Sequence, residues 1–459
     1  MRYLLALWIC KFTTWVLRTL NRGGTALPGK LALKVCPDIL TSLAKDFDVY
    51  VVSGTNGKTT TALLMSAVLD GQGIPYISNR SGSNLERGIV ACFAEGVTAM
   101  GKPKGPTHAV IECDEAAFAK VADKLNPKVL VVTNFFKDQL DRYGEVTHTL
   151  ELVKTGASKA KEAIFVLNGD DQLCASIGAD LPNKAIYYGM DNSTAKVKDG
   201  GNSEVEAGYC IKCQSKLEYA FTSYGHLGKF HCPACGYARP ELQVEMDFYK
   251  LNIDSAEFAY AIGESRHNCT IKVSGLYNVY NAMGAIGFGE ALGFDRDQVS
   301  ASLESSNPGF GRMETVHIGN KAVRTVLVKN PMGYNQVINY LLEVKQPLRI
   351  CFALNDNIAD GVDISWLWDV NFENLEKLGD DLKGMYTCGM RGADVAVRLK
   401  YAGLEVEYQE TPKSVAEVMN QILEQMEDGE TLLVLPSYTA MFEVRSFLQD
   451  KIKMKEFWN

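Results

Sequence analysis

The 459-residue chain is 46% hydrophobic and 22% charged, with a formal net charge of −8. That balance describes an ordinary globular protein with core enough for two or three domains, and it excludes the basic footprint of a nucleic-acid-binding protein. Of its twelve cysteines, four fall in two Cys-x-x-Cys pairs and the rest lie scattered, often inside apolar runs; with no cleavable leader pattern, free thiols in a reducing, cytoplasmic compartment are expected.

Residues 1–22 combine Leu4, Leu5, Leu7, Trp8, Ile9, Phe12, Trp15, Val16, Leu17 and Leu20 with Arg2, Lys11, Arg18 and Arg22. Lys11, Arg18 and Arg22 share one face at helical period. The longest uncharged run is eight residues, far short of the roughly 20 needed to cross a bilayer. Two readings stand side by side: a basic amphipathic helix on an anionic membrane surface, or a helix packed on the next domain. Gly23–Gly29 reads as a glycine-rich connector, and residues 1–46 as an N-terminal helical segment.

From Phe47 the pattern alternates strand and helix, with strands expected at 48–53, 74–78, 108–113, 129–133, 163–167 and 185–188. Such an order implies a parallel, doubly wound sheet with nucleotide at its carboxyl edge. The first strand runs into Ser53-Gly54-Thr55-Asn56-Gly57-Lys58-Thr59-Thr60 and then a helical pattern. Strand, glycine turn, Lys-Thr and helix form a nucleotide phosphate site. Backbone amides of Gly54 to Thr60 would cradle the phosphates, Lys58 would reach the β- and γ-phosphates, and Thr59 would hold Mg2+. The spacing is unusual, with two residues rather than four between Gly54 and Gly57. A later strand ends in Glu112, Asp114 and Glu115, of which Glu112 is the candidate second Mg2+ contact. Another ends in Thr133-Asn134-Phe135-Phe136, followed by polar residues through Gly144.

Cys210-x-x-Cys213, eighteen residues, then Cys232-x-x-Cys235 is the spacing of a tetrahedral zinc ribbon with four cysteine ligands. With all four positions filled by cysteine, the metal is structural. The ribbon, about residues 205–240, reads as an insertion in a central domain spanning 47–314. Beyond it the pattern restarts, with strands expected at 323–328, 348–353, 383–388, 404–408 and 431–435 in a smaller α/β domain, 315–459. One loop there, Leu354 to Asp369, holds four aspartates and two tryptophans in sixteen residues. So loaded a loop is a poor core and a good functional site.

Gly-Thr-Asn-Gly-Lys-Thr-Thr after one strand and Thr-Asn-Phe-Phe-x-Asp-x-x-Asp-x-Tyr-Gly after another resemble the Mur ligases, ATP-dependent enzymes that build the peptide of cell-wall precursors. Gly275 to Ala285 resembles that family's adenine-contacting helix start, and Gly309 to Glu314 its arginine segment. The resemblance implies that Asn281 lies near adenine and Arg312 near the phosphates. Gln139 stands where many Mur ligases carry a metal-binding histidine. Before the phosphate loop there are only about 45 residues, too few for the family's UDP-binding domain, which favours a lipid-linked substrate.

The four-cysteine insertion, the Thr25-Ala26-Leu27-Pro28-Gly29-Lys30 start and the Asn355 to Trp366 loop together resemble the MurT branch. That implies ATP-dependent amidation of the D-glutamate α-carboxyl in lipid II, through an acyl phosphate, with ammonia from a glutaminase subunit resembling GatD. No Gly-x-Cys-x-Gly elbow occurs in this chain, in keeping with a separate glutaminase. By position, Asp363 would complete the partner's Cys-His-Asp triad, while Asp356 and Asp360 are candidates for the ligase site. The implied cofactors are ATP, Mg2+ and Zn2+, and the implied place is the cytoplasm, peripheral at the inner face of the plasma membrane. Two other readings are a free-standing Mur or folylpolyglutamate-type amino-acid ligase, and a nucleotide-binding scaffold without chemistry.

Overall fold

A computed structural model of the chain describes residues 2–20, 26–79, 83–136, 146–191, 208–306, 312–407 and 414–452. Its centre is a nine-stranded sheet. The first six strands are β1 (Asp48–Ser53), β2 (Tyr76–Ser78), β3 (His108–Glu112), β4 (Val129–Val132), β5 (Ile164–Asn168) and β6 (Ala185–Met190). They are parallel, and every one was legible as an apolar run. Along β1, Val49 and Val51 enter one core and Tyr50 and Val52 the opposite one. Both faces of the sheet are therefore covered, as a parallel sheet requires.

Next comes the ribbon hairpin, β7 (Glu218–Thr222) and β8 (Gly228–His231), as expected from the spacing of its cysteines. The sheet then gains three strands that sequence reading did not foresee: β9 (Val244–Leu251), β10 (Ala256–Ile262) and β11 (Ser265–Ile271). The full order is β11-β10-β9-β6-β5-β4-β1-β3-β2. Strand β9 pairs in parallel with β6, but β10 and β11 fold back antiparallel. The sheet is thus mixed at that edge. Polar residues such as Glu245, Asp247 and Lys250 interrupt the apolar run of β9, whose second half is only partly buried, and so obscured the strand.

The second sheet has five strands: β12 (Arg312–Ile318), β13 (Lys321–Val326), β14 (Leu348–Ala353), β15 (Leu382–Cys388) and β16 (Thr431–Pro436). Their order is β12-β13-β16-β14-β15, with β12 antiparallel to its neighbour. Two expectations are corrected here. Arg312 pairs with Val326 inside this sheet, so the C-terminal sheet begins before the expected boundary at 315. The expected strand at 404–408 is reduced to one bridge between Tyr386 and Glu407, with residues 408–413 outside the described ones.

The sheets are tied together by polar side chains. Arg324 Nη2 reaches Asp254 Oδ1 at 2.5 Å, and Tyr340 donates its hydroxyl proton to the Ile253 carbonyl at 2.7 Å. Both acceptors sit in the β9–β10 turn, so the unforeseen hairpin is what the C-terminal domain leans on.

The N-terminal helix, Arg2–Thr19, packs Ala6, Leu7 and Cys10 inward. It rests on the helices Ala26–Val35 and Glu86–Gly96. The latter two touch where Gly29 lies against the Arg87 carbonyl: a Cβ there would come within 1.7 Å of that oxygen. The expected connector over Gly23–Gly29 is corrected as well, since Ala26 already opens a helix, with Pro28 in its first turn where the missing N–H costs nothing. Gly29→Ala should lower stability by about 1–3 kcal/mol, the range for an overfilled contact, measurable as a lower urea midpoint with unchanged slope.

Candidate functional site

The register of the central sheet brings three strand ends level. Val52 lies opposite Glu112, and Ser53 opposite Val132. Strand β1 has β4 on one side and β3 on the other, so its exit is a topological switch point, where α/β sheets take ligands.

The phosphate loop is built by long-range hydrogen bonds to the β4 exit. Thr55 N–H donates to the Asn134 carbonyl at 2.8 Å, and Asn56 N–H to Asn134 Oδ1 at 3.0 Å. Thr133 Oγ1 donates to the Asn56 carbonyl at 2.7 Å, and Phe136 N–H to Thr55 Oγ1 at 3.2 Å. Gly54 has φ +117°, and a Cβ on it would stand 2.5 Å from Thr133 Oγ1. Gly57 has φ +84° and precedes the helix Lys58–Gly71. A Cβ there would stand 2.1 Å from Asn281 Oδ1. Both glycines are thus demanded twice, by left-handed backbone and by space. Asn56 Nδ2 is buried and unpartnered among the described residues, a donor suited to a phosphate oxygen.

Lys58 is buried. Its Nζ donates to the Gly54 and Thr55 carbonyls and forms an ion pair with Glu115 Oε1 at 2.9 Å. Burial alone would lower its pKa, but the Glu115 carboxylate holds the ammonium above its ordinary value. Of the three clustered acids, Asp114 caps the helix Glu115–Leu125 through the Ala116 and Ala117 amides. Glu115 takes Lys58. Glu112 accepts from Asn84 Nδ2 at 3.3 Å and lines the cavity.

That cavity, about 590 Å3, is bounded by both sheets. The central domain supplies the loop with Thr59, Glu112, Phe136, Tyr224 and Asn281. The C-terminal domain supplies Asn330, Asp360 and Tyr438. Asn330 donates from Nδ2 to Asn56 Oδ1 at 2.9 Å. It also caps the helix Pro331–Val344, accepting from Gly333 N–H at 2.8 Å. Sequence reading gave Asn330 no role beyond its place in a turn that resembles one of the Mur ligases, although an Asn-Pro step before an apolar periodic run signals just such a cap. It also passed over the Lys58–Glu115 pair and Tyr224, which no local pattern marks.

The expected aspartates of the loop from Leu354 to Asp369 take different places: Asp360 lines the cavity, whereas Asp356 and Asp363 do not. Asp360 accepts from the Thr439 amide and hydroxyl at 2.7 and 2.6 Å, fixing the start of the helix Tyr438–Ile452 beside the cavity. Asp356 pairs with Arg391 at 2.7 Å and does not line the cavity. Asp363 is outside the lining too, half-exposed on its loop. Its carboxyl is held below the usual range by the Ser365 N–H, 2.8 Å away. Gln139 and the Arg312 side chain lie outside the described residues.

Cys210, Cys213, Cys232 and Cys235 converge, all sulfurs lying within 4.8 Å of one another. The Cys210–Cys235 and Cys213–Cys232 separations are 3.6 and 3.4 Å, close to the roughly 3.8 Å implied by tetrahedral Zn–S bonds of about 2.3 Å. Hydrogen bonds from Ser215 draw the Cys213 thiol down to about 6. Cys235, despite the Tyr237 backbone N–H, is pushed up to about 12 by desolvation and its neighbouring sulfurs. Four thiols converging at tetrahedral separations are a donor set that fits zinc.

The ribbon is not a separate ornament. The turn between its strands places Tyr224 against Phe136, ring centroids 5.8 Å apart, and His226 Nε2 3.3 Å from Asp171 Oδ1. Asp171 in turn accepts from Phe135 N–H at 2.8 Å. Arg239 pairs with the fully buried Asp170 at 2.8 Å, and Tyr280 donates to the same carboxylate at 2.6 Å. The ribbon thereby clamps the segment that shapes the phosphate loop.

Two family models match the chain: the Mur ligase middle domain over residues 52–236, and the MurT ligase C-terminal domain over 327–441. A curated relative from Streptococcus pneumoniae, lipid II isoglutaminyl synthase (glutamine-hydrolyzing) subunit MurT, is 35% identical, covering 95% of each chain. Its counterpart from Staphylococcus aureus is 31% identical over 96% of each. Among solved structures, a pseudomurein peptide ligase type C from Methanothermus fervidus superposes with TM-score 0.68, at 22% identity, covering 90% of this chain and 80% of the other. MurF ligase from Thermotoga maritima, in complex with ADP, gives 0.63 at 15% identity over 92% and 84%. These likenesses establish a Mur ligase-like α/β fold.

Gly57→Ala should weaken ATP binding by on the order of tenfold or more, because a strained φ and a blocked Asn281 act together; isothermal titration checks it. Zinc analysis of the purified chain should give one metal per chain, lost in Cys213→Ser. That variant should also melt earlier and bind nucleotide less tightly, since the ribbon turn buttresses Phe136.

Proposed function

The chain belongs to the MurT family, and from that footing we propose that it is the ligase subunit of an enzyme amidating the D-glutamate α-carboxyl of lipid II. One observation carries the reading: the phosphate loop and Glu112 face, across a single cavity, residues of the C-terminal domain. A nucleotide on one wall and an acceptor carboxylate near the other can meet there.

The chemistry balances as follows. The acceptor carboxylate oxygen attacks the γ-phosphorus of ATP, the bond to the β-phosphate oxygen breaks, and an acyl phosphate and ADP result. Ammonia then attacks the acyl carbon; phosphate leaves and one proton is lost, giving the amide. Barrier lowering is largely a matter of positioning and of neutralising phosphate charge. Backbone amides from Gly54 to Thr60 hold the β-phosphate region. Lys58, kept charged by Glu115, carries its cation to the phosphates as they compete for it. Thr59 and Glu112 would hold Mg2+, which screens the phosphate oxygens when bound. Asn281 packs over Gly57, a position suited to orienting the nucleotide, and Arg312 is assigned to the transferred phosphoryl group.

Ammonia is assigned to a partner glutaminase of the GatD type. Asp363 is the residue offered to it, as the third member of a Cys-His-Asp triad whose other two groups the partner supplies. Support comes from its half-exposed carboxylate, held ionised by Ser365. Its loop also exposes Ile358 at 87%, Val362 at 62% and Trp368 at 56%. Exposed apolar groups around one oriented carboxylate suit a protein interface.

The test is an assay with the partner glutaminase, Mg-ATP, glutamine and lipid II, read by mass spectrometry. Exchange of one hydroxyl for an amide is expected, and Lys58→Ala should abolish it with either nitrogen source. Asp363→Asn should lose activity on glutamine by about 10²-fold or more, as for a triad orienter, yet retain it with free ammonia. Consumption of ATP with an added amino acid, leaving the lipid carboxyl unamidated, would transfer the chain to the free-standing ligase reading.

A further inference from the structure

The N-terminal helix turns its larger apolar side chains outward. Its buried face is Ala6, Leu7 and Cys10, all small or modest side chains. Its outward face carries Leu5 at 51% exposure, Trp8 at 50%, Phe12 at 64% and Trp15 at 61%. At about 100° per residue these four fall within an arc of about 80°, opposite the buried stripe. Met100, 69% exposed, belongs to the adjoining loop, to which Trp8 Nε1 donates through the Ala99 carbonyl at 2.9 Å. Such a contiguous aromatic strip is unusual on a monomer surface and marks something that covers it.

The cations do not form the outer face that the sequence period suggested. Lys11 turns inward and donates to the Ala94 and Val97 carbonyls at the end of the helix Glu86–Gly96, where a cation also meets the negative end of the helix dipole. Arg22 lies outside the described residues. Arg2 and Arg18, both exposed, flank the strip on its two sides. Arg18 meets Glu95 at 2.8 Å in a pair open to solvent, one that yields readily to other anions. Lys30 and Lys34 on the next helix are exposed as well. Within the first 37 residues there are six basic and no acidic residues, in a chain whose net charge is −8. An aromatic strip bordered by the one strongly basic stretch of an acidic protein complements an anionic lipid surface: rings enter the headgroup boundary and cations meet phosphates. No helix among the described residues is long and apolar enough to cross a membrane, so the contact is one of lying on the surface.

We infer that the helix Arg2–Thr19 docks the protein on an anionic bilayer through Leu5, Trp8, Phe12 and Trp15, with Arg2 and Arg18 at the rim. This surface is distinct from the cavity and from the Asp363 loop. Its test uses vesicles without any peptidyl lipid, so its failure is separable from failure of the amidation reading.

The full chain is sedimented with vesicles of phosphatidylcholine alone or with phosphatidylglycerol added, at low and high salt. Expected is binding to the phosphatidylglycerol vesicles on the order of tenfold tighter than to phosphatidylcholine, weakening with salt. The double variant Phe12→Ser and Trp15→Ser should lose a further tenfold or more on order-of-magnitude area arguments, with melting temperature and ATP affinity unchanged, since neither ring is in the core. Lys30→Glu with Lys34→Glu should weaken anionic binding by a similar factor and serves if the aromatic variant is poorly folded. No binding to anionic vesicles, or equal binding by all variants, overturns the inference. So does analytical ultracentrifugation showing a dimer that the aromatic variant dissociates, or loss of the glutaminase partner in that variant, since each gives the strip another cover.

Discussion

A phosphate loop offers its amides to a ligand only if its own remaining polar groups are satisfied from behind. Here that backing is Thr133 to Phe136, at the exit of β4. Asn134 receives amides from Thr55 and Asn56, while Thr133 donates to the Asn56 carbonyl. An unpaired buried backbone group costs about 1–3 kcal/mol, so displacing this short segment would undo several bonds of the loop at once. The shortened glycine spacing belongs with this arrangement: Gly54 and Gly57 both take left-handed backbone beside side chains that leave no room for a Cβ.

Much of the remaining structure holds that segment in place. Asn168 donates to the Thr133 carbonyl at 3.1 Å, and Asp171 takes the Phe135 amide. Asp171 is also the N-cap of the helix Gln172–Asp180 and the neighbour of His226 in the ribbon turn. The four-cysteine ribbon thus acts on the phosphate-loop wall through the packing of Tyr224 on Phe136 and through one buried carboxylate, Asp171. From the other side Asn330 spans the domains to reach Asn56. The loop is therefore a meeting point of the central sheet, the inserted ribbon and the C-terminal domain.

Lys58 and Glu115 illustrate what a motif leaves open. The Lys-Thr step singles out Lys58 as the residue proposed to meet phosphate, but its buried counter-charge comes from the start of a helix 57 positions on. Three acids after β3 were visible together. Their separate tasks, Asp114 as a helix cap, Glu115 as the lysine's partner and Glu112 on the cavity wall, depend on which side of the exit each side chain takes. Likewise the loop from Leu354 to Asp369 was visible as one loaded stretch, yet its aspartates divide among an Arg391 pair, a helix start beside the cavity and a half-exposed surface position.

What the sequence determined alone is what acts over a few residues. Buried strands declared themselves through β-branched runs, the phosphate loop through glycines and Lys-Thr, and the ribbon through cysteine spacing, because backbone conformation and ligand geometry are set locally. The strands β9 to β11 escaped, since polar residues interrupt the apolar run where they begin. Tertiary structure decided what depends on contacts between distant segments: the pairing of Asn56 with Asn330, the stacking of Tyr224 on Phe136, and the side of the N-terminal helix that faces out. Helical period grouped Lys11 with Arg18 and Arg22 on one face. Only packing against the helix Glu86–Gly96, whose terminal carbonyls needed a donor, turned the lysine inward and left the aromatic strip exposed.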